Sequence, residues 1–241
     1  MTSWNAIFTA ARQSSRNMRS WLVAAVALCV LTSYAVVDMD KLLSLAKERY
    51  AQRGTDVMTQ WNRLITDNKG MSDSELLNLT NKFVNQRLVY KEDQEIWGQT
   101  DYWATPLETL GRGTGDCEDY AIAKYLTLLN LGVTNDKLRL IYVRAKQGSA
   151  ANATSVAHMV LGYFAQPDSE PLILDNMITS VRPAASRQDL LPVFSFNSDG
   201  MWAEGQARGD PTARLSRWRD VLDRMRAEGW SLAANPASTS R

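Results

Sequence analysis

Residues 116–132, Asp116-Cys117-Glu118-Asp119-Tyr120-Ala121-Ile122-Ala123-Lys124-Tyr125-Leu126-Thr127-Leu128-Leu129-Asn130-Leu131-Gly132, decide how the chain is read. Ile122, Leu126 and Leu129 recur at helical spacing, and Gly132 supplies a C-terminal stop, so Cys117–Leu131 is expected to be a helix that starts at a cysteine. Immediately downstream the period changes. Leu138–Ala145, Val156–Phe164 and Leu172–Asp175 read as strands separated by turn-forming residues. Val193–Phe196, the turn Asn197-Ser198-Asp199-Gly200 and Met201-Trp202 predict a further hairpin.

Upstream, residues 40–68 have helical spacing, with a break expected near Gly54. Ser72-Asp73-Ser74-Glu75 has the form of a capping box opening a second helix. The stretch from Tyr90 to Gly115, with Trp97, Trp103, Pro106 and four glycines, reads as an irregular loop anchored by its tryptophans. Leu215, Trp218, Leu222 and Met225 stripe a last helix rich in arginine, whose outer face is read as solvated or as a contact for an acidic partner. Helices, then a helix led by Cys117, then antiparallel strands make an α+β fold.

The N-terminus carries a different signal. Arg12, Arg16 and Arg19 precede an apolar run from Trp21 to Leu31, and Ser33-Tyr34-Ala35 has small residues at the −3 and −1 positions. Residues 1–35 are therefore expected to be a secretory signal peptide, with an uncleaved anchor as the alternative because Val36 and Val37 prolong the run. An N-terminal helical region over 36–70, a catalytic domain over 71–234 and a disordered tail over 235–241 complete the expected organisation. The chain has 27 basic against 26 acidic side chains, so charge gives no reason to expect nucleic acid as partner. Of its two cysteines, Cys29 would leave with the signal. Cys117 then remains as a lone thiol in an oxidising compartment, which points to a working residue.

The chain has one histidine, His158, in the strand Val156-Ala157-His158-Met159-Val160-Leu161. A thiol at a helix start has its thiolate favoured by the helix dipole, and an imidazole beside it would complete an activated Cys–His pair. Asp175, where the apolar run Leu172-Ile173-Leu174 stops, is the candidate third group that fixes the imidazole. Asp116, Glu118 and Asp119 pose a difficulty, because carboxylates this close disfavour a thiolate. They either pair with the helix N-terminus or bind a hard divalent cation, for which oxygen-only donors favour Ca²⁺.

Trp103-Ala104-Thr105-Pro106-Leu107-Glu108, Gly113-Thr114-Gly115-Asp116-Cys117-Glu118-Asp119-Tyr120-Ala121, Ala157-His158-Met159-Val160-Leu161 and Ile173-Leu174-Asp175-Asn176 together resemble the bacterial transglutaminase-like cysteine peptidases of the LapG type. The resemblance runs from about Ser72 to Trp202. It implies a papain-related, transglutaminase-like core with a Cys117–His158–Asp175 triad. It also implies calcium ligands at Asp116, Glu118 and Asp119, and a periplasmic calcium-dependent endopeptidase. The implied substrate is the N-terminal region of a large surface adhesin, cut at a di-alanine site to disperse biofilm. The implied restraint is the periplasmic domain of an inner-membrane cyclic di-GMP receptor. A transglutaminase or amidase using the same triad, and a non-catalytic envelope binding module, are the rival readings.

Overall fold

The computed structural model describes residues 35–148, 152, 154–203 and 206–232. The expected signal peptide, apart from Ala35, and the expected disordered tail lie outside these residues. Among the described residues no helix is long and apolar enough to cross a membrane.

The centre is a seven-stranded antiparallel sheet in the order β10-β9-β8-β4-β5-β6-β7. Its strands are β4 (Leu138–Gln147), β5 (Thr154–Tyr163), β6 (Leu172–Leu174), β7 (Arg182–Pro183), β8 (Leu190–Phe196), β9 (Met201–Ala203) and β10 (Gln206–Gly209). The three strands expected after the cysteine helix and the β8–β9 hairpin are present, while β10 had no sequence signal. β4 and β5 pair along their whole length, from Leu138 opposite Tyr163 to Gln147 opposite Thr154. β6 pairs with β5 only over residues 161–163, so among the described residues the stretch of β5 containing His158 borders no strand on that side.

One face of the sheet carries the helices. They are α1 (Met39–Asp67), α2 (Asp73–Arg87), α3 (Asp93–Trp97), α4 (Pro106–Arg112), α5 (Cys117–Leu131), α6 (Pro211–Arg214) and α7 (Ser216–Ala227). A single apolar core joins Trp61 of α1, Leu76 of α2, Leu110 of α4, Leu126 of α5 and Trp218 of α7 to Leu140, Leu161 and Phe196 of the sheet. The opposite face buries a smaller cluster of Ile141, Val143, Val160 and Ile173 under Ala184 and Leu190. Two short pairings finish the frame: β1 (Ala35–Val37) against β11 (Trp230–Leu232), and β2 (Val89–Tyr90) parallel to β3 (Thr114–Gly115).

α5 departs from the single inward stripe expected for it. From Asp119 to Leu131 every residue but Asn130 is buried. The helix is the axle of the domain, packed by the sheet, α2, α4 and α1, and a helix enclosed on all sides need not be amphipathic. Trp61 Nε1 donates to Thr127 Oγ1 at 2.9 Å in this interior, satisfying an indole N–H that would otherwise be orphaned, while Thr127 Oγ1 itself donates to the Ala123 carbonyl at 2.7 Å.

Two further expectations are corrected. The break in α1 falls at Ala51, with φ 51° and ψ −144°, rather than at Gly54. Gly54 serves the break by its missing side chain, since a Cβ there would lie 2.5 Å from the Ala46 carbonyl oxygen. The stretch from Tyr90 to Gly115 is also more regular than a loop. Thr105 and Glu108 form a capping box that opens α4 with Pro106 in its first turn, a Thr-x-x-Glu signal overlooked between the glycines. Trp103 is a packing anchor, stacked on Phe196 with ring centroids 5.7 Å apart. The capping box at Ser72 and Glu75 forms as read.

Candidate active site

Asp116 is the N-cap of α5 and Cys117 its first residue. The short β2–β3 pairing fixes the approach of the chain, with Val89 N–H donating to the Gly113 carbonyl at 3.0 Å and Lys91 N–H to that of Gly115 at 3.1 Å. Gly113 takes a left-handed conformation, φ 74°, that closes α4. Gly115 is required by close approach, because a Cβ would sit 2.8 Å from a carboxylate oxygen of Asp119.

The start of α5 meets β5 on its β6 side, beyond the end of the β5–β6 pairing. The backbone N–H of Met159, the residue after His158, is directed at the Cys117 sulfur. On the same stretch the buried His158 Nε2 lies 2.8 Å from Asp175 Oδ1. The bond to Asp175 occupies Nε2 and leaves Nδ1 as the free ring nitrogen. The three residues singled out from sequence therefore converge on the junction of the α5 start, β5 and the end of β6.

Asp175 is held from several sides. Met177 N–H donates to Oδ1 at 3.1 Å, and Arg187 Nη2 lies 2.8 Å from Oδ2. Asn85 Nδ2 donates to its carbonyl oxygen at 2.9 Å. Burial alone would raise this carboxyl, but the bonds and charge of His158, Met177 N–H and Arg187 outweigh it and bring it down to about 2. It is a carboxylate at any working pH. Lys124, two turns along α5 from Cys117, is also buried; desolvation pulls its ammonium down to about 7 against the opposing pull of Asp175. Sequence analysis singled out neither residue, because Lys124 in an apolar helix and Arg187 in a polar turn announce no partner.

The acidic neighbours of Cys117 belong to a larger group. Oxygens of Asp93, Asp116 and Asp119 approach within 4.8 Å of one another, as do those of Asp93, Asp101 and Glu118. Asp93 and Asp101 are thus additions to the three carboxylates expected. They stand 24 and 16 residues before the nucleophile at no diagnostic spacing, which hid them in the sequence. Asp93 Oδ1, Asp116 Oδ1 and Asp119 Oδ2 are buried with no hydrogen-bond partner. The other Asp119 oxygen accepts from Ala104 N–H at 2.7 Å, and Asp93 Oδ2 accepts from Tyr102 N–H.

Burial and the mutual repulsion of Glu118, Asp119 and Asp93 push Asp116 up to about 10; Asp93 rises to about 6, chiefly through burial. Burial, with Glu118 and Asp116 beside it, holds the Cys117 thiol well above its ordinary value, and the thiol donates to Glu118 Oε2 at 3.0 Å. Orphaned buried carboxylate oxygens that repel one another fit a hard, oxygen-seeking cation. Among the described residues the nitrogen and sulfur donors are one histidine, paired with Asp175, and one thiol, which groups with Asp116 and Glu118; that is too few for a zinc site.

Arginines of α7 brace this group. Arg217 Nε pairs with Asp101 Oδ2 at 2.5 Å, and Arg224 reaches Glu108, Tyr102 and the Trp103 carbonyl. Part of the face read as solvated thus works inside the molecule.

A comparison with curated protein sequences finds no match. Among solved structures the chain is similar to Legionella pneumophila LapG, with 36% identity, a TM-score of 0.66, and 79% of this chain and 98% of that one covered. It matches the calcium-bound form of that protein at 37% identity with a TM-score of 0.65, covering 78% and 98% of the two chains. The EGTA-treated form matches at 36% identity and 0.67, with 79% and 98% covered. Residues 49–204 match the family model for the bacterial transglutaminase-like cysteine proteinase BTLCP, and the chain belongs to that family.

Proposed function

We propose that the protein is a calcium-dependent cysteine endopeptidase working through Cys117, His158 and Asp175. The observation that carries this reading is the pairing of His158 Nε2 with Asp175 Oδ1 at 2.8 Å, on the strand whose next N–H meets the Cys117 sulfur. With Nε2 engaged, Nδ1 takes the thiol proton as sulfur attacks the scissile carbonyl. The same nitrogen returns that proton to the leaving amine. Water, deprotonated by Nδ1, then hydrolyses the thioester and regenerates the thiol. The Cys117 backbone N–H, at the open end of α5, is placed to donate to the developing oxyanion.

Asp93, Asp101, Asp116, Glu118 and Asp119 are the residues that would hold Ca²⁺. When bound, the ion supplies positive charge that offsets these carboxylates and lowers their cost to a thiolate at Cys117. LapG of Legionella pneumophila exists in calcium-bound form, which supports the same ion here.

The substrate inferred from the family resemblance is the N-terminal region of a large surface adhesin, cut in the periplasm at a di-alanine site so that the adhesin is released and biofilm disperses. The periplasmic domain of an inner-membrane cyclic di-GMP receptor is the inferred restraint. The test is incubation of the protein with N-terminal segments of large adhesins, with and without EGTA, read by product mass. Cleavage between two alanines that stops on chelation is expected. No cleavage of any such segment in excess Ca²⁺ would remove the substrate assignment, and cleavage unaffected by complete chelation would remove calcium.

A further inference from the structure

Arg187 is a buried cation in a place where nothing in the proposed chemistry calls for one. It follows β7 and a single 3-10 turn, Ala184–Ser186, and is 1% exposed. Its Nη2 lies 2.8 Å from Asp175 Oδ2 and 2.7 Å from Asp189 Oδ2, and its Nε donates to Asp189 Oδ1 at 3.0 Å. An isolated buried guanidinium is strongly disfavoured, so its retention there depends on both carboxylates. The planar fork can hold two carboxylates in fixed directions at once, which a lysine ammonium cannot.

The consequence lies at His158. Asp175 has two oxygens with different duties: Oδ1 takes His158 Nε2 and Met177 N–H, and Oδ2 meets Arg187. No aligned N–H bond reaches Oδ2, but the Arg187 charge 2.8 Å away holds that oxygen on its side, so a swing of the carboxylate that released the imidazole would work against this ion pair. Asp189 matters for charge. Alone, Arg187 would cancel the negative charge that Asp175 offers to an imidazolium; with the partly exposed Asp189 added, the three groups together keep one net negative charge. Lys124 from α5 and Asn85 from α2 are the other polar groups facing Asp175.

Resting on the Cys117–His158–Asp175 reading, we propose that Arg187 is a positioning residue of the active site. Clamped by Asp189, it locks the Asp175 carboxylate so that His158 stays in the Nε2–H tautomer with Nδ1 free for Cys117. Arg187 and Asp189 act through Asp175 and touch no substrate.

His158 is the only histidine in the chain, so its ring nitrogens give one unambiguous NMR signature. The experiment compares wild type, Arg187→Gln and Asp189→Asn in excess Ca²⁺ by two measurements. The first is the ¹⁵N tautomer signature and titration of His158. The second is the alkylation rate of Cys117 by iodoacetamide, in which the S–C bond forms as iodide leaves, read on the Cys117 peptide by mass. Wild type should show one Nε2–H tautomer and alkylate faster than a free thiol peptide. Arg187→Gln should show mixed tautomers and alkylate roughly tenfold more slowly, a part of the 10²–10⁴-fold that acid–base catalysis supplies. Asp189→Asn should loosen the Arg187 fork and shift the tautomer and the alkylation rate in the same direction as Arg187→Gln, but less.

An Arg187→Gln protein with the wild-type tautomer and alkylation rate would overturn the proposal while leaving the triad standing. A changed alkylation rate in that variant with the tautomer intact would do the same, since it is the effect of removing a nearby charge. If Arg187→Gln does not fold, Arg187→Lys replaces it, with mixed tautomers expected and unchanged behaviour again contradicting the proposal. Wild-type Cys117 reacting no faster than the free peptide would overturn the triad reading and this proposal with it.

Discussion

The Cys117 thiol donates a hydrogen bond to Glu118 Oε2 at 3.0 Å, so the nucleophile is tied to one of the carboxylates that hold it protonated. The same acidic group that silences the sulfur offers a cation its ligands, which makes metal binding and nucleophile release two sides of one electrostatic balance.

Calcium should therefore stabilise the fold. Binding to the native state alone contributes about 2.7 kcal/mol at a hundredfold excess over the dissociation constant. The effect should grow with pH. Asp116 is raised to about 10, far above its unfolded value, so repulsion in the ion-free cluster costs more as pH rises between those limits. Thermal melts with Ca²⁺ and with EGTA should differ more at pH 8 than at pH 5. Asp119→Asn should shrink the difference at both. A gap that is constant in pH, or absent, would contradict this.

Lys124 gives a pH dependence of opposite origin. Its folded value, about 7, lies below that of the unfolded chain, so between there and about 10.5 the unfolded state binds the extra proton and stability rises with pH. Lys124→Met should remove this rise and stabilise the protein at pH 6 by an amount on the order of 3 kcal/mol. Urea denaturation of the two proteins at pH 6 and pH 9 checks both statements.

The kink in α1 predicts an unusual gain. Ala51 sits at φ 51°, ψ −144°, where a side chain is strained by about 1–3 kcal/mol. Ala51→Gly relieves that strain and gives back roughly 0.5–1 kcal/mol in chain entropy. The net expectation is a small rise in melting temperature. Gly54→Ala should lower it, since the new methyl would strike the Ala46 carbonyl. Loss of stability in Ala51→Gly would show that the kink is unstrained.

Much of this was legible in the sequence, and the pattern of what was not is physical. α5, β4, β5, β6 and the β8–β9 hairpin announced themselves by periodicity and by Gly132, because burial on a regular element leaves a repeating trace. Cys117 and Asp175 stood out as reactive types at element boundaries, and His158 as the one histidine of the chain, inside an apolar strand. Asp93 and Asp101 were not visible, since they reach the acidic cluster through the folding of α3 and the segment after it. Arg187 was hidden for a similar reason: it contacts Asp175 through a turn after β7 whose sequence carries no motif. Ala51 broke α1 without the glycine or proline that would have marked the break.

The central claim is that Cys117 is a nucleophile activated by His158. A peptidyl chloromethyl ketone ending in Ala-Ala, incubated with wild type, Cys117→Ala and His158→Ala in excess Ca²⁺, tests it most directly by intact mass. Wild type should gain one stoichiometric adduct that maps to Cys117. Cys117→Ala should gain none, and His158→Ala should react at least about a hundredfold more slowly while melting normally. Equal labelling of wild type and His158→Ala, or an adduct away from Cys117, would contradict the claim.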